Sequence, residues 1–179
     1  MNTAKYVANF FIELANNDEY GDGMTNMRLN KLLFFAQGHY FARTGTPLFN
    51  DDFEAWEYGP VVSSIYQQFK NYGRKPIADI DSDYSNETFS SDELEVLLDV
   101  AMKYGKYSTS ELVNMTHRND SPWAECSKSV SQAITKKQIK DYFSNQSLPT
   151  FDDMLSALDI PLCEKRSTDG FILLPQNMS

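Results

Sequence analysis

The sequence predicts a mainly α-helical fold: a compact multi-helix bundle around a central buried helix at about residues 25–43, with short extended segments and a small C-terminal β-hairpin. Three observations lead to this prediction. Apolar residues recur at the i, i+3, i+4, i+7 spacing of a helix face in several separate segments. Residues that favour helix starts and ends flank most of these segments. Finally, the segment 25–43 carries apolar side chains on two faces, as a helix with neighbours on both sides does.

The first two predicted helices follow directly from this spacing. Residues 3–17 form the first helix, and Thr3 can cap its start. Its apolar face consists of Val7, Phe10, Phe11 and Leu14. The second helix begins after Thr25, a favoured N-cap residue, and ends before Gly45. One of its stripes consists of Leu29, Leu32, Leu33, Ala36 and Tyr40, and the other of Met27, Phe34 and Phe41.

Residues 47–60 show no helical period and are predicted to be extended. Their large apolar anchors are Phe49, Phe53 and Trp56. Pro60 is predicted at the first turn of a third helix, where its missing N–H is tolerated. That helix continues through residues 61–72 and ends at Gly73.

Capping residues predict the later helices. Ser90 or Ser91 precedes a fourth helix, which ends at Gly105. The further N-terminal signals are Ser108 with Glu111, Ser121 with Pro122, Thr135 with Gln138, and Thr150 with Asp153.

The end of the chain differs in character, because apolar segments on both sides of Asp169 and Gly170 predict a small β-hairpin. We therefore expect a helical domain at residues 1–145. Residues 146–179 are expected to add a C-terminal helix and this hairpin, packed on the same domain.

The chain is acidic: 16 Lys and Arg residues against 25 Asp and Glu residues give the 179-residue sequence a formal net charge of −9. Nucleic-acid binding depends on a basic surface, so direct binding to nucleic acid is not expected. A basic protein partner would be attracted instead. Neither a signal peptide nor an apolar run of about 20 residues is present, and the two cysteines stand apart. These features predict a cytoplasmic protein without a membrane span.

Sequence patterns for catalysis, cofactors or metals are not found, and none of the three is predicted. The two histidines, His39 and His117, lack the spacing of a zinc-binding pair. The start of a calcium loop is imitated by Asp79, Asp81 and Asp83. At later loop positions, however, Tyr84 replaces the required glycine and Ser90 the bidentate glutamate.

Four polar residues interrupt the apolar surface of the second helix. Asn30 and Gln37 lie on nearly the same line between the two stripes, so we expect half-buried, hydrogen-bonded amides. Lys31 faces another side, where its stem can cover apolar surface while its ammonium reaches water. His39 is expected to be a hydrogen-bonded core imidazole. This pattern indicates a structural network, which needs no reaction to explain it.

Three ordered motifs resemble the Panacea antitoxin domain family, which includes SocA-like antitoxins and phage-associated GepA-like proteins. The motifs are L-x-K-L-L-x-F-A-Q at Leu29–Gln37, E-A-W-x-Y-G-P-V at Glu54–Val61, and T-H followed by P-W at Thr116–Trp123. The resemblance covers about residues 5–130.

The resemblance implies a mostly helical, cytoplasmic protein of a bacterial host cell that neutralises a toxin encoded next to it by direct protein contact. For adaptor-type members it also implies a second partner, a host protease that receives the toxin. It supplies no catalytic set. Two alternatives stay open: an inhibitor of a host protein or defence system encoded by a phage or mobile element, and an enzyme with Lys31, His117 or Cys126 in a cleft.

The motif residues divide into two predicted groups. Those least needed for an apolar core are predicted to bind the partner, and they are Lys31, Gln37, Tyr58 and His117. The residues predicted to be structural are Asn30, Trp56, Gly59, Pro60, Pro122 and Trp123. Each tryptophan lies near a proline at a predicted helix start, where its ring can fix the direction of the chain.

Overall fold

The computed structural model describes residues 3–18, 23–80, 84, 89–127, 132–150 and 153. Its helices are α1 (Ala4–Asn16), α2 (Asn26–Thr44), α3 (Ser63–Phe69), α4 (Ser91–Gly105), α5 (Thr109–Thr116), α6 (Pro122–Ser127) and α7 (Lys136–Phe143). A 3-10 turn at Lys70–Tyr72 follows α3. Strands β1 (Phe53–Trp56), β2 (Gly59–Val61) and β3 (Ala133–Ile134) form one antiparallel sheet in the order β2-β1-β3. The predicted mainly α-helical fold is confirmed.

Helix α2 lies at the centre of the bundle, as its two apolar stripes predict. It packs against α1, α3, α4, α5, α7 and strand β2. At Gly38 the approach of α7 is closest, because a Cβ built there would lie 2.1 Å from Cδ2 of Phe143. A residue without a side chain at this position therefore lets α7 lie directly on α2.

Helix α2 also begins and ends at the predicted residues. The Thr25 hydroxyl accepts a hydrogen bond from the Arg28 N–H at 3.3 Å. Gly45 ends the helix with φ 77°, and its N–H donates to the Phe41 carbonyl. This left-handed conformation is the one that glycine adopts without strain.

Side-chain capping interactions start α4, α5 and α7. Complete capping boxes are formed by Ser90 with Glu93, Ser108 with Glu111, and Thr135 with Gln138. The first helix differs from the prediction, since Thr3 occupies the N-cap position but its side chain accepts no capping hydrogen bond. The Asp51 carboxylate instead accepts from the Ala4 N–H at 3.0 Å. A residue from a distant loop, Asp51, thus replaces Thr3 as the acceptor at the start of α1.

The prediction that Pro60 begins a helix is wrong. Pro60 lies in β2, opposite Ala55 of β1, and α3 begins only at Ser63. The Val62 N–H donates to the Asn30 side-chain oxygen at 3.0 Å, which holds the chain extended before α3. Proline is tolerated in β2 because this strand lies at the edge of the sheet.

The chain divides into two compact units, Met1–Leu148 and Pro149–Ser179. The predicted domain arrangement with a boundary at residues 145/146 stays a prediction. The C-terminal hairpin around Asp169 and Gly170 lies outside the described residues.

No helix within the described ranges is long and apolar enough to cross a membrane. Helix α2, with 19 residues, includes Asn30, Lys31, Gln37 and His39.

Candidate functional site

The hairpin formed by β1 and β2, residues 53–61, carries the most exposed aromatic side chain of the motifs. We call it the motif hairpin. Trp56 pairs with Gly59 across a two-residue turn made of Glu57 and Tyr58. Tyr58 is 56% exposed, whereas Gly59 and Pro60 directly after it are buried. The turn therefore presents one large ring to solvent at the end of a buried strand.

Side chains of helix α2 hold the buried strand of the motif hairpin. The Lys31 ammonium donates to the Pro60 carbonyl at 3.1 Å. The neighbouring Asn30 amide accepts from the Val62 N–H at 3.0 Å and donates to the Asn26 carbonyl at 2.9 Å. Buried backbone groups of β2 and of Val62 directly after it are thus satisfied by side chains of α2, and this fixes the strand on the helix.

The segment from the end of α5 to the first turn of α6, residues 116–123, also holds the hairpin. The Trp123 indole N–H donates to the Trp56 carbonyl at 2.7 Å. The His117 ring stacks on Trp123 with 3.6 Å between ring centroids. Within the same segment, the Ser121 hydroxyl donates to the Thr116 carbonyl at 2.7 Å. Pro122 is buried at the first position of α6, where it was predicted.

Gly59 is the point at which the three motifs meet. Its φ is 104°, in the region that side chains disfavour. A Cβ built there would lie 2.7 Å from Oγ1 of Thr116 and 2.8 Å from Cε of Lys31. Strand β2 therefore lies directly against both α2 and α5. Motifs that are distant in sequence form one contiguous support for the turn at Glu57 and Tyr58.

The structure corrects the predicted placement of the polar residues of α2. The prediction that the Lys31 ammonium reaches water is wrong. Lys31 is only 1% exposed, because the motif hairpin covers it. Asn30 and Gln37 are also 1% exposed, and not half-buried. The Gln37 side chain accepts from the N–H groups of Leu48 and Phe49 at 2.9 and 3.1 Å and donates to the Phe49 carbonyl at 3.0 Å.

Of the four residues predicted to bind a partner, the structure therefore places Lys31 and Gln37 below the surface. Tyr58 is exposed, and His117 is partly exposed beside Trp123. Lys31, Tyr58 and His117 gather around the motif hairpin. Gln37 instead fixes the chain at Leu48 and Phe49, ahead of β1. Of these four side chains, Tyr58 in the turn of the hairpin is the one that is mainly exposed to solvent.

Burial shifts the protonation of the groups beneath the hairpin. It lowers the pKa of Lys31 from 10.5 to about 7, because the ammonium loses its hydration. Burial, followed by the positive charge of Lys31, lowers the pKa of His117. Nε2 of His117 is buried without a hydrogen-bond partner among the described residues. In the core, burial lowers the pKa of His39 to about 3, and its Nε2 lies 2.8 Å from the Tyr104 hydroxyl.

The three groups considered for the enzyme alternative each contact other parts of the fold. Cys126 is 5% exposed, and its thiol donates to the Ala133 carbonyl at 3.4 Å. Lys31 bonds to the motif hairpin, and His117 stacks on Trp123. In the part of the chain that the structure describes, no group of three or more His, Cys, Asp or Glu residues could hold a metal ion.

A concave pocket with a volume of about 610 Å³ lies between α1, α2, α4 and α5. Some of its polar lining groups hold these helices together. The Arg28 guanidinium donates there to the carbonyls of Gly105 and Tyr107, which closes the turn between α4 and α5. Glu111 completes the capping box of α5. Arg28 and Glu111, two of the polar groups that line this pocket, thus already serve the fold.

Sequence reasoning did not identify Glu54, Glu57, Tyr66 and Thr116 as parts of the site. Glu54 and Glu57 stand on either side of Trp56, so the alternation of carboxylates with aromatic rings was a visible signal. Tyr66 and Thr116 come close only through the fold: the Tyr66 ring lies 4.8 Å from that of Trp56, and Thr116 lies against Gly59.

Comparison with known proteins identifies two similarities. The family described as antitoxin SocA-like, Panacea domain, matches residues 29–124, which include all three motifs. Antitoxin SocA of Caulobacter vibrioides (strain NA1000 / CB15N) is 31% identical over 162 residues, which cover 81% of this chain and 84% of the relative. No solved structure matches.

Proposed function

Because the chain belongs to the SocA-like antitoxin family with a Panacea domain, we propose that it neutralises a toxin encoded next to it by direct protein contact. The turn of the motif hairpin, with Tyr58 at its centre, is the proposed contact. In this proposal Lys31 and His117 act indirectly by holding the hairpin, and Gln37 does so by fixing the chain that leads into β1.

The rigid support of one exposed turn carries this proposal. Hydrogen bonds from Lys31 and Trp123 hold the backbone on both sides of the turn, at Pro60 and Trp56. Tyr58 nevertheless remains 56% exposed. A large ring on a rigid backbone loses little conformational entropy on binding, and tyrosine is enriched among the residues that dominate interface energies.

Neutralisation by contact predicts a stoichiometric titration. When purified protein is added to the toxin encoded beside it, inhibition should reach a plateau near one equivalent, with or without EDTA. The toxin should be released unaltered when the complex is denatured. Complete inhibition by a small substoichiometric amount, with the toxin covalently altered, would instead show that the protein is an enzyme.

The protein could neutralise the toxin in a second way, by delivering it to a host protease as an adaptor. The half-life of the toxin in cells tests this mechanism. An adaptor shortens that half-life in a manner that depends on a host protease, whereas occlusion alone leaves it unchanged or extends it.

Tyr58→Ala is expected to weaken toxin binding by about tenfold or more, which corresponds to about 1.4 kcal/mol. The reason is that it removes the one exposed ring of the turn and leaves the supports untouched. Binding can be measured by calorimetry, with urea denaturation to show that the fold is intact.

Met102→Ala is the matched control, since Met102 is 40% exposed on α4, away from the hairpin. It should bind the toxin as the wild type does. Unchanged binding by Tyr58→Ala, or an equal loss in Met102→Ala, would contradict the assignment of the contact to the turn.

A further inference from the structure

We propose that the surface formed by Trp56, Tyr58 and Tyr66 with the carboxylates of Glu54 and Glu57 receives an arginine-bearing segment of the partner protein. This inference rests on the proposed function, and it adds the chemistry of the group that the partner inserts. We call these five residues the aromatic–acidic surface.

The part of this surface formed by Trp56 and Tyr66 is already ordered. The Trp56 and Tyr66 rings pack edge to face, with 4.8 Å between centroids and 63° between planes. The Asn26 side chain donates to the Tyr66 carbonyl at 3.0 Å, which ties α3 to the start of α2. Tyr58 is 56% and Tyr66 36% exposed, so both offer ring surface to solvent. Ordered ring faces at a surface attract cations through the negative face of the π system.

The charge of the surrounding segment is one-sided. Between Arg43 and Lys70 the sequence contains four carboxylates and no Lys or Arg. Two of the carboxylates serve the fold: Asp51 accepts from the start of α1, and Asp52 lies 3.5 Å from the ammonium of Lys136. The other two, Glu54 and Glu57, flank Trp56 in the motif hairpin.

The two remaining carboxylates are placed to bind a cation beside the rings. One oxygen of Glu54 accepts from the Trp56 indole N–H at 2.8 Å, so the carboxylate lies at the edge of the ring. Glu57 is exposed in the turn next to Tyr58. Among the described residues, no salt bridge involves Glu54 or Glu57. A cation brought by a partner would therefore meet two carboxylates that the fold does not already neutralise.

Arginine fits this combination better than the other groups that a partner could insert. Its planar guanidinium can stack on one of the rings while its N–H groups bond a carboxylate in the same plane. An aliphatic anchor would leave the carboxylates without a partner, and a phosphate would be repelled by them. An acidic surface also speeds encounter with a basic partner, in accord with the net charge of −9.

The test uses a pentapeptide, Gly-Ser-Arg-Ser-Gly, and a matched peptide in which citrulline, the neutral isostere, replaces arginine. Each is titrated into the full-length ¹⁵N-labelled protein, and binding is followed by NMR. The arginine peptide should shift the indole N–H resonance of Trp56 and the amides of Glu57 and Tyr58, in a saturable manner and more strongly at low salt. The citrulline peptide should bind about fivefold more weakly. The difference is modest because a cation–π contact and an ion pair each contribute little free energy at an exposed surface.

Glu57→Gln should reduce the affinity for the arginine peptide by about threefold or more and bring it close to that for citrulline. Asp141→Asn is the matched control, because it removes one exposed carboxylate from α7. It should leave binding unchanged.

Equal affinity for the two peptides, or shifts that avoid Trp56 and the turn, would overturn the assignment of an arginine site. This outcome is separable from failure of the proposed function. If toxin neutralisation depended on Tyr58 but not on Glu57, the turn would remain the proposed contact. The proposal that the partner inserts an arginine there would be rejected. Loss of arginine selectivity in Asp141→Asn as well as in Glu57→Gln would show that only the overall charge matters, and would also reject the site.

Discussion

Gly59→Ala is expected to lower the free energy of unfolding by about 2–4 kcal/mol, because the added methyl group meets two obstacles at once. The φ of 104° disfavours any side chain, at a cost of about 1 kcal/mol or more. The Cβ would also lie 2.7 Å from Oγ1 of Thr116 and 2.8 Å from Cε of Lys31, and overpacking of this kind adds about 1–3 kcal/mol. Urea denaturation monitored by circular dichroism measures the loss.

Gly45→Ala separates the two contributions. Gly45 also has a positive φ, 77°, but its nearest neighbour to a built Cβ is the Lys140 ammonium at 4.0 Å. This variant should therefore lose only the backbone contribution of about 1 kcal/mol. If the two alanine variants lost the same free energy, the close approach of β2 to α2 and α5 would not restrict position 59, and the account of the hairpin's support would be wrong.

The elements predicted correctly from the sequence are those that depend on local interactions. Thr25 bonds to a backbone N–H three residues away, and Gly45 ends the same helix through a bond to Phe41. Such contacts need no knowledge of the fold. The two stripes of α2 are equally local, since a single helix with two apolar faces must have neighbours on both sides.

The errors arise where a distant segment decides the outcome. Pro60 satisfies the local rule for a helix start, but pairing with Ala55 and the bond from Lys31 place it in a strand. Lys31 satisfies the local rule for an exposed lysine, but the hairpin that covers it lies 22–30 residues further along the chain. Strand β3, which joins β1 from residue 133 onward, could not be inferred from two residues of sequence.

The candidate site combines these two kinds of information. The motif residues come together in the fold. Trp56, Gly59 and Pro60 lie in the hairpin itself, and Trp123 and Asn30 bond to the backbone of Trp56 and of Val62, which directly follows the hairpin. Their division into structural and exposed residues was not accessible, since polarity alone does not show which polar groups will be covered. Among the described residues no salt bridge involves Lys31, and a buried lysine of this kind is destabilising.

Lys31 should make the stability of the protein depend on pH in the alkaline range. Its pKa is about 7 in the folded protein and near 10.5 in the unfolded chain. Between these values the unfolded chain binds one proton more than the folded protein does, so the free energy of unfolding rises with pH. Below pH 7 both states are protonated, and this contribution no longer changes. Each pH unit within the window contributes about 1.4 kcal/mol.

The rise should amount to about 3 kcal/mol between pH 7 and pH 9.5. Measurement is best stopped there, because burial raises the pKa of Tyr104 and its effect has the opposite sign at higher pH. Urea denaturation at half-unit intervals of pH gives the slope directly.

Lys31→Met shows whether this lysine is the source of the rise. Methionine keeps much of the length of the side chain and removes the titratable group, so the variant should lose most of the slope. The difference in unfolding free energy between wild type and variant should shift by about 3 kcal/mol in favour of the wild type from pH 7 to pH 9.5. Lys137→Met, which removes an ammonium whose side chain is 87% exposed, should keep the wild-type slope. A Lys31→Met variant that retains the slope would show that the ammonium beneath the hairpin is hydrated, and that Lys31 reaches water after all.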